Sequence, residues 1–403
     1  MEGWEKYGKI LLLMGAILLV IAMTVPIDTS MSQKKSGMRM NKNKFPYRAY
    51  IPHGIIRINS NGEFAQIAQN EGWQGDGSEN SPYVIEGYEI DAHGEGNAIY
   101  IGNTTVYFII RNCYLHNATD QIYPYFAGAG ITLYNVTKGK LENNTCSNNY
   151  GGICLSHSSN NLILNNTCSY NNIYSIYLDS SSSNVISSNI CSNNNWFGIY
   201  LYFSNNNVIS NNACNHNDES GTILDHSSSN LISNNTCSNN GYYGIWMYSS
   251  SNDNNIIINN LISNNTNYGI YIYSGCSHNR IYNNSFYYND GSENTFNSLH
   301  IQAYDGGSNN YWNSSTGIGN YWHDWANNNN TNDQNGDGIV DWPYPIAGSA
   351  GAKDYYPLKN PTIVPEFSLF DLILILLVSL AIFYLRVRKE ELYKQSLISL
   401  IIS

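Results

Sequence analysis

GIYLYFSNNNVISNNACNHN, residues 198–217, is one unit of a repeat, and its neighbours on either side are variations on it. Cys146, Cys168, Cys191, Cys214 and Cys237 follow one another at 22, 23, 23 and 23 residues. Around them stand NNTCSNN, NNTCSYN, SNICSNN, NNACNHN and NNTCSNN, with GICL, SIYL, GIYL and GIWM at matching places. A period near 23 without helix-forming stretches points to one turn of a solenoid. Each unit holds short runs of alternating character, such as Ile199-Tyr200-Leu201-Tyr202, separated by Asn, Ser and Gly clusters that favour turns. Three short strands per turn satisfy this pattern. The expected fold is all-β, a right-handed parallel β-helix of about nine or ten coils, flanked by N- and C-terminal hydrophobic helices.

A second periodic feature is an apolar residue, then Asn three later, then a bulky residue two later. It starts at Ile109-Asn112-Tyr114, followed by Leu141-Asn144-Cys146, and continues through Asn166, Asn189, Asn212, Asn235, Asn260 and Asn284 to Asn310-Trp312. Ile85-Tyr88-Ile90 reads as a degenerate earlier turn. A buried amide repeated once per coil can bond the backbone and the Asn one coil away, about 4.8 Å distant. One interior ladder of nine Asn is therefore expected. The five Cys share a column with Tyr114, Ile262 and Phe286, so they are expected as buried thiols, with coil-to-coil disulfides as the alternative.

Composition agrees with a solenoid of this kind. Asn is the commonest residue, with 63 of 403, while charged residues make up 12%. Scarce helix formers exclude a helical bundle, and 42% hydrophobic residues exclude a disordered chain. Between residues 49 and 365 lie 7 basic and 23 acidic residues, so this body carries about −16. Such a field repels phosphate backbones, and nucleic acid is excluded as a partner.

The ends differ from the body. Residues 1–30, with the apolar run Ile10–Pro26, read as a signal peptide or signal anchor, and 31–50 as a basic linker. Residues 51–82 are expected to form an N-terminal cap, 83–315 the repeats and 316–360 a C-terminal cap. The run Phe367–Leu385, followed by Arg386, Arg388 and Lys389, is long enough to span a bilayer. The expected protein is membrane-tethered at the cell surface, with its body extracellular.

Several groups could carry chemistry. Outward positions of the Ile-x-Leu-x strands hold Tyr177, Tyr200, Trp246 and Tyr271 in one column. A second column holds Asp179, Tyr202, Asp225, Tyr248 and Tyr273, with His226 next to Asp225. An aromatic stripe with interleaved carboxylates suits the faces and hydroxyl rims of sugar rings. Stacked tyrosines that merely stabilise a sheet are the alternative. Asp179 and Asp225, two coils or about 10 Å apart, lie at the edge of the spacing for paired catalytic carboxylates. A polysaccharide hydrolase or lyase is thus the rival to glycan or surface-polymer binding.

Asp333-Gln-Asn335-Gly-Asp337-Gly-Ile339-Val-Asp341 has the ligand order of the first part of a calcium loop. Asp333, Asn335, Asp337 and Asp341, with the Ile339 carbonyl, would hold a structural calcium. Tyr344 stands where an EF-hand has Glu. Ten Asn-x-Ser/Thr sequons add candidate glycan positions.

The coils resemble the right-handed β-helix repeats of the NosD-like family, which is shared by carbohydrate-binding proteins and sugar hydrolases. GWQGDGSENSPYVIEGYEIDAHGEGNAIYI, residues 72–101, resembles the opening coil of archaeal surface proteins in that family. GNYWHDWANNNNTNDQNGDGIVDWPYPI, residues 319–346, with DYYPL at 354–358, resembles their closing segment. Pro365-Glu366-Phe367 ahead of the apolar span resembles a PEF-type sorting tail, although Glu390–Ser403 extends beyond such tails. The resemblance implies fold and location. Its association with copper has no His/Met/Cys cluster in this sequence to attach to.

Overall fold

The structure is a computed structural model and describes residues 50–119, 128–326 and 333–361. The apolar end segments and the PEF motif lie outside the described residues. Among the described residues no helix is long and apolar enough to cross a membrane.

The chain winds as a right-handed parallel β-helix of about eight turns, fewer than the nine or ten expected, with partial turns at both ends. Sheet 1 has ten strands, from Ile56–Ile58 through Phe197–Tyr202 to Ala303–Asp305. Sheet 2 has nine, from Tyr83–Glu86 through Val208–Ser210 to Arg280–Tyr282. Sheet 3 has two four-stranded parts, joined by single bridges that run Thr145, Thr167, Ile190, Ala213, Thr236.

Strict register produces the core. Ile110, Leu141, Ile163, Ile186, Ile209, Ile232, Ile257 and Ile281 form one inward column of sheet 2. All eight are fully buried, each contributing about 1.5–3 kcal/mol of transfer free energy. On sheet 3 the five Cys column residues stack in the same way, and all eight cysteines are buried free thiols. The coil-to-coil disulfides held open above do not form. Going back from Cys146 the column passes through Leu115, where Tyr114 was expected, and reaches the buried Ile90 of the earlier, degenerate turn. It ends with Ile262, Phe286 and Trp322.

Three Asn ladders support the corners where one was expected. The first is Asn144, Asn166, Asn189, Asn212, Asn235, Asn260, Asn284 and Asn320. In each rung the backbone N–H and Nδ2 of one Asn both donate to Oδ1 of the next, as in Asn189 to Asn212 at 2.9 and 3.0 Å. Nδ2 also donates to a carbonyl of the preceding coil, as in Asn212 to Ile186 O at 2.9 Å. The second ladder runs Asn161, Asn184, Asn207, Asn230, Asn255, Asn279, Asn310. The third runs Asn149, Asn171, Asn194, Asn217, Asn240, Asn265, Asn289. Buried amides satisfied in this way carry no desolvation penalty.

Two of the nine expected ladder residues stand elsewhere. Asn112 is at a left-handed corner, φ 54°, and donates to Glu86. Its coil turns Ile110 inward rather than Ile109, so Cys113 takes the ladder position and its N–H bonds Asn144 Oδ1. Asn310 belongs to the second ladder. Asn320 closes the first, displaced by the insertion between coil and cap.

Every ladder ends on a buried carboxylate. Asn320 donates to Asp354, and Asn310 to Asp305. Asn289 donates to Gln302, whose Nε2 donates to Asp324. Trp312 and Trp322 donate their indole N–H to Asp305 and Asp354. Trp322 is sandwiched between Phe286 and Tyr344, with ring centroids 4.1 Å away on each side.

At the other end an eleven-residue helix, Asn61–Glu71, covers the first coil. Ser60 caps its N-terminus, left-handed Gly72 ends it, and Phe64 stacks on Tyr83. Eight of the sequon asparagines (Asn103, Asn117, Asn135, Asn143, Asn165, Asn234, Asn264 and Asn283) occupy left-handed corners.

Candidate functional site

The outer face of sheet 1 brings the expected aromatic and acidic residues together. Register pairs place Tyr177, Tyr200, Ile223, Trp246, Tyr271 and Tyr304 in one column. Asp179, Tyr202, Asp225 and Tyr248 form the next, and Tyr273 follows just beyond a strand end. Tyr248 and Tyr273 are exposed, whereas Tyr200, Tyr202, Trp246 and Tyr271 are half-buried and Tyr177 is buried by its neighbours. The stripe is thus less open than alternation alone implies.

A third aromatic row covers it. Tyr174, Phe197, Tyr243 and Tyr268 precede the first Ile of their strands by two residues. The intervening position is Ser175, Gly198, Gly244 or Gly269. Gly221 holds the same place in a coil without the aromatic. A Cβ there would lie 2.7 Å from Gly244 O and 2.9 Å from Asn240 Nδ2, so the position must stay small. The aromatic–small–Ile pattern was readable in the sequence. It falls outside the Ile-x-Leu-x frame because the strand takes one extra inward residue there. Rings then touch along the face: Tyr174–Tyr177 at 4.8 Å, Tyr177–Tyr200 at 5.2 Å, Tyr243–Tyr271 at 4.8 Å and Tyr271–Tyr304 at 4.6 Å.

The coil carrying Asp225 interrupts this band with polar groups. Asp225 is 4% exposed. Its Oδ2 accepts from Tyr200 OH at 3.0 Å, and its Oδ1 lies 2.7 Å from His226 Nδ1. A carboxylate can only accept, so His226 Nδ1 donates, and a neutral ring leaves Nε2 as an acceptor. Phe203 stacks on His226 at 4.6 Å and fixes the ring. Burial, then the Asp225 charge, raises the Tyr200 hydroxyl well above the ordinary phenol range. Asp179 is held differently: it accepts from Ser156 at 3.3 Å and Ser180 at 3.0 Å. Tyr202 lies between the two carboxylates in the column. One coil beyond Asp225, the Trp246 Nε1 is buried without a hydrogen-bond partner.

The Asp333–Asp341 loop folds around its own carboxylates. Asp333 accepts from the N–H groups of Asp337 and Gly338, Asp337 from that of Ile339, and Asp341 from that of Gln334. Asn335 spans to Asp337, and Lys359 lies 3.5 Å from Asp333.

A family model described as periplasmic copper-binding protein (NosD) matches residues 90–327, more than half of the chain. The chain belongs to the NosD family. No curated protein matches it. Among solved structures it is similar to the A-module of mannuronan C-5 epimerase AlgE6 from Azotobacter vinelandii: 16% identity, TM-score 0.44, covering 51% of this chain and 58% of that one. It is also similar to the Dettilon tailspike protein gp208: 16% identity, TM-score 0.44, 58% of this chain and 47% of that one. A third is the periplasmic alginate epimerase AlgG: 17% identity, TM-score 0.42, 64% and 72%. The chain spans about half the length of the first two.

The NosD description names copper, and the described residues do not fit that metal. Among them no group of three or more His, Cys, Asp or Glu side chains is placed to hold an ion. The stacked thiols are sealed from solvent. Burial raises those of Cys168 and Cys191; hydrogen bonding with a neighbouring thiol, then burial, raises those of Cys214 and Cys237. Metal ligation needs the thiolate.

Proposed function

We propose that this NosD-family protein works outside the cytoplasm as a surface-polymer-binding β-helix, tethered by its apolar ends, and that a glycan lies along the aromatic face of sheet 1. The observation that carries this reading is the buried, unpartnered indole N–H of Trp246 within that face. A buried donor without an acceptor is costly, and a sugar hydroxyl supplies one. Tyr248 and Tyr273 offer exposed ring surface beside it.

The test is a glycan array with the full-length protein, repeated for Trp246→Phe, which keeps the ring and removes the N–H. Binding to at least one glycan class is expected, with about tenfold loss in Trp246→Phe from one hydrogen bond. No binding to any glycan sinks the reading.

A second reading rests on Asp225, whose Tyr200 and His226 partners form a connected proton-carrying group. In it Asp225 and Asp179 serve a hydrolase or lyase, and released saccharide would be detected on the same array glycans.

Calcium at Asp333, Asn335, Asp337, Ile339 and Asp341 is part of the proposal. The carboxylates now close on backbone N–H groups, and a cation would replace those bonds. Calcium is expected to raise Tm by a few degrees, with EDTA reversing the gain. An indifferent Tm removes calcium from this loop.

A further inference from the structure

The body holds few cations, and most are matched. Arg111 pairs with Glu86, Lys359 with Asp333, and Arg57 and Arg280 stack on tyrosine rings. Two of the cations stand together in one groove on the outer side of sheet 2. Tyr107, Thr137, Lys138, Gly139, Lys140, Asn160 and Leu162 line a cavity of about 530 Å³. No carboxylate lines it, although acids outnumber bases by about three to one in the body.

Lys138 is the unusual residue. It sits at a left-handed corner with φ 66° and is the only lysine in that conformation among the described residues. Later coils place Asn160, Ser183, Asn206, Ser229, Asn254, His278 and Asn309 at this corner. Asn and Ser tolerate the conformation through local hydrogen bonds, and lysine has no such compensation. Its ammonium lies 4.8 Å from the centre of the Tyr107 ring, held at the groove. Lys140 lies 2.6 Å from Glu142 at the groove margin, whereas Lys138 has a ring and no carboxylate beside it, so of the two groove cations Lys138 keeps its charge available to an anion.

We infer that this groove is a second saccharide site, specific for a sugar bearing an anionic group, carboxylate or sulfate. Lys138 would meet the anion, and Thr137 and Asn160 would meet hydroxyls. The site is on a different sheet from the aromatic face and does not depend on it.

Calorimetry with the full-length protein tests this, using oligogalacturonate, its methyl ester and a sulfated oligosaccharide as probes. At least one anionic probe is expected to bind about tenfold tighter than the ester at low salt, with the difference shrinking as salt is added. The stronger of the two anionic probes tells carboxylate from sulfate. Lys138→Gln should erase the difference while circular dichroism stays unchanged, Lys138→Arg should keep part of it, and Trp246→Phe should leave it intact. Equal binding of acid and ester, undiminished binding in a folded Lys138→Gln, or no binding of either anionic probe overturns the inference.

Discussion

Asn212→Ala is expected to lower the unfolding free energy by about 3–6 kcal/mol. The side chain it removes accepts from the N–H and Nδ2 of Asn189, and donates to Ile186 O and Asn235 Oδ1. All of these lie inside the wall, where Asn212 is 2% exposed and Asn189 1%. Water has no ready route to the orphaned groups, so two or three of them bear a desolvation cost of about 1–3 kcal/mol each. Asn211→Ala is the control. Asn211 precedes Asn212 at an exposed left-handed corner, φ 57°, and its loss should cost only about 1 kcal/mol of backbone strain. Urea unfolding followed by near-ultraviolet circular dichroism compares the two. If Asn212→Ala costs no more than Asn211→Ala, the ladder is not a main support of the wall.

Asp354→Ala is expected to cost about 4 kcal/mol or more, with the loss concentrated at the C-terminal end. Asp354 accepts four N–H bonds: from Asn320 N at 2.7 Å, Asn320 Nδ2 at 3.3 Å, Trp322 Nε1 at 2.9 Å and Tyr356 N at 3.0 Å. Alanine strips all four at once and loosens Trp322, whose ring spans Phe286 and Tyr344. Hydrogen exchange should show the last coils opening first while Ile163 and Ile186 stay protected. Uniform loss of protection along the solenoid would contradict a local cap.

Asp354→Asn adds a test of sign. Burial, only partly opposed by the four donors, pushes the Asp354 carboxyl up to about 6. That is above its value in the unfolded chain, so the folded state takes up the proton first. The wild type is therefore favoured as pH falls through 6. Its advantage over Asp354→Asn should widen by about 1 kcal/mol between pH 7 and pH 5.

Much of this architecture was legible because a solenoid repeats each structural demand once per coil. The Cys spacing gave the period, and seven Asn of the first ladder follow from it. Where the period is locally broken, reading fails. Two adjacent isoleucines, Ile109 and Ile110, allow either to face inward, and only the sheet register decides for Ile110. The insertion after Phe286 hides Asn320 from a fixed spacing. The second and third ladders also recur at the same period, but in a chain so rich in Asn their columns do not stand out from the corner residues. The carboxylate caps were the least visible. Asp324 and Asp354 are distant in sequence from the amides they receive, and although Asp305 lies only five residues before Asn310, nothing local marks any of the three.

The candidate site divides similarly. The outward columns follow from alternation, so Tyr200, Trp246 and Asp225 were found. That Asp225 is enclosed by Tyr200, His226 and Phe203 depends on residues from two coils. That Trp246 keeps a bare indole N–H depends on what its neighbours fail to offer.

All three amide columns run the same way, each Asn donating its backbone N–H forward to the Asn of the next coil. The solenoid therefore has a direction of growth. As synthesis adds coils, every newest turn exposes donors that only its successor can meet, and the carboxylates arrive last. Whole coils can be gained or lost in evolution from the middle, because both cut faces present the same pattern, whereas the closing segment is compatible with one end alone.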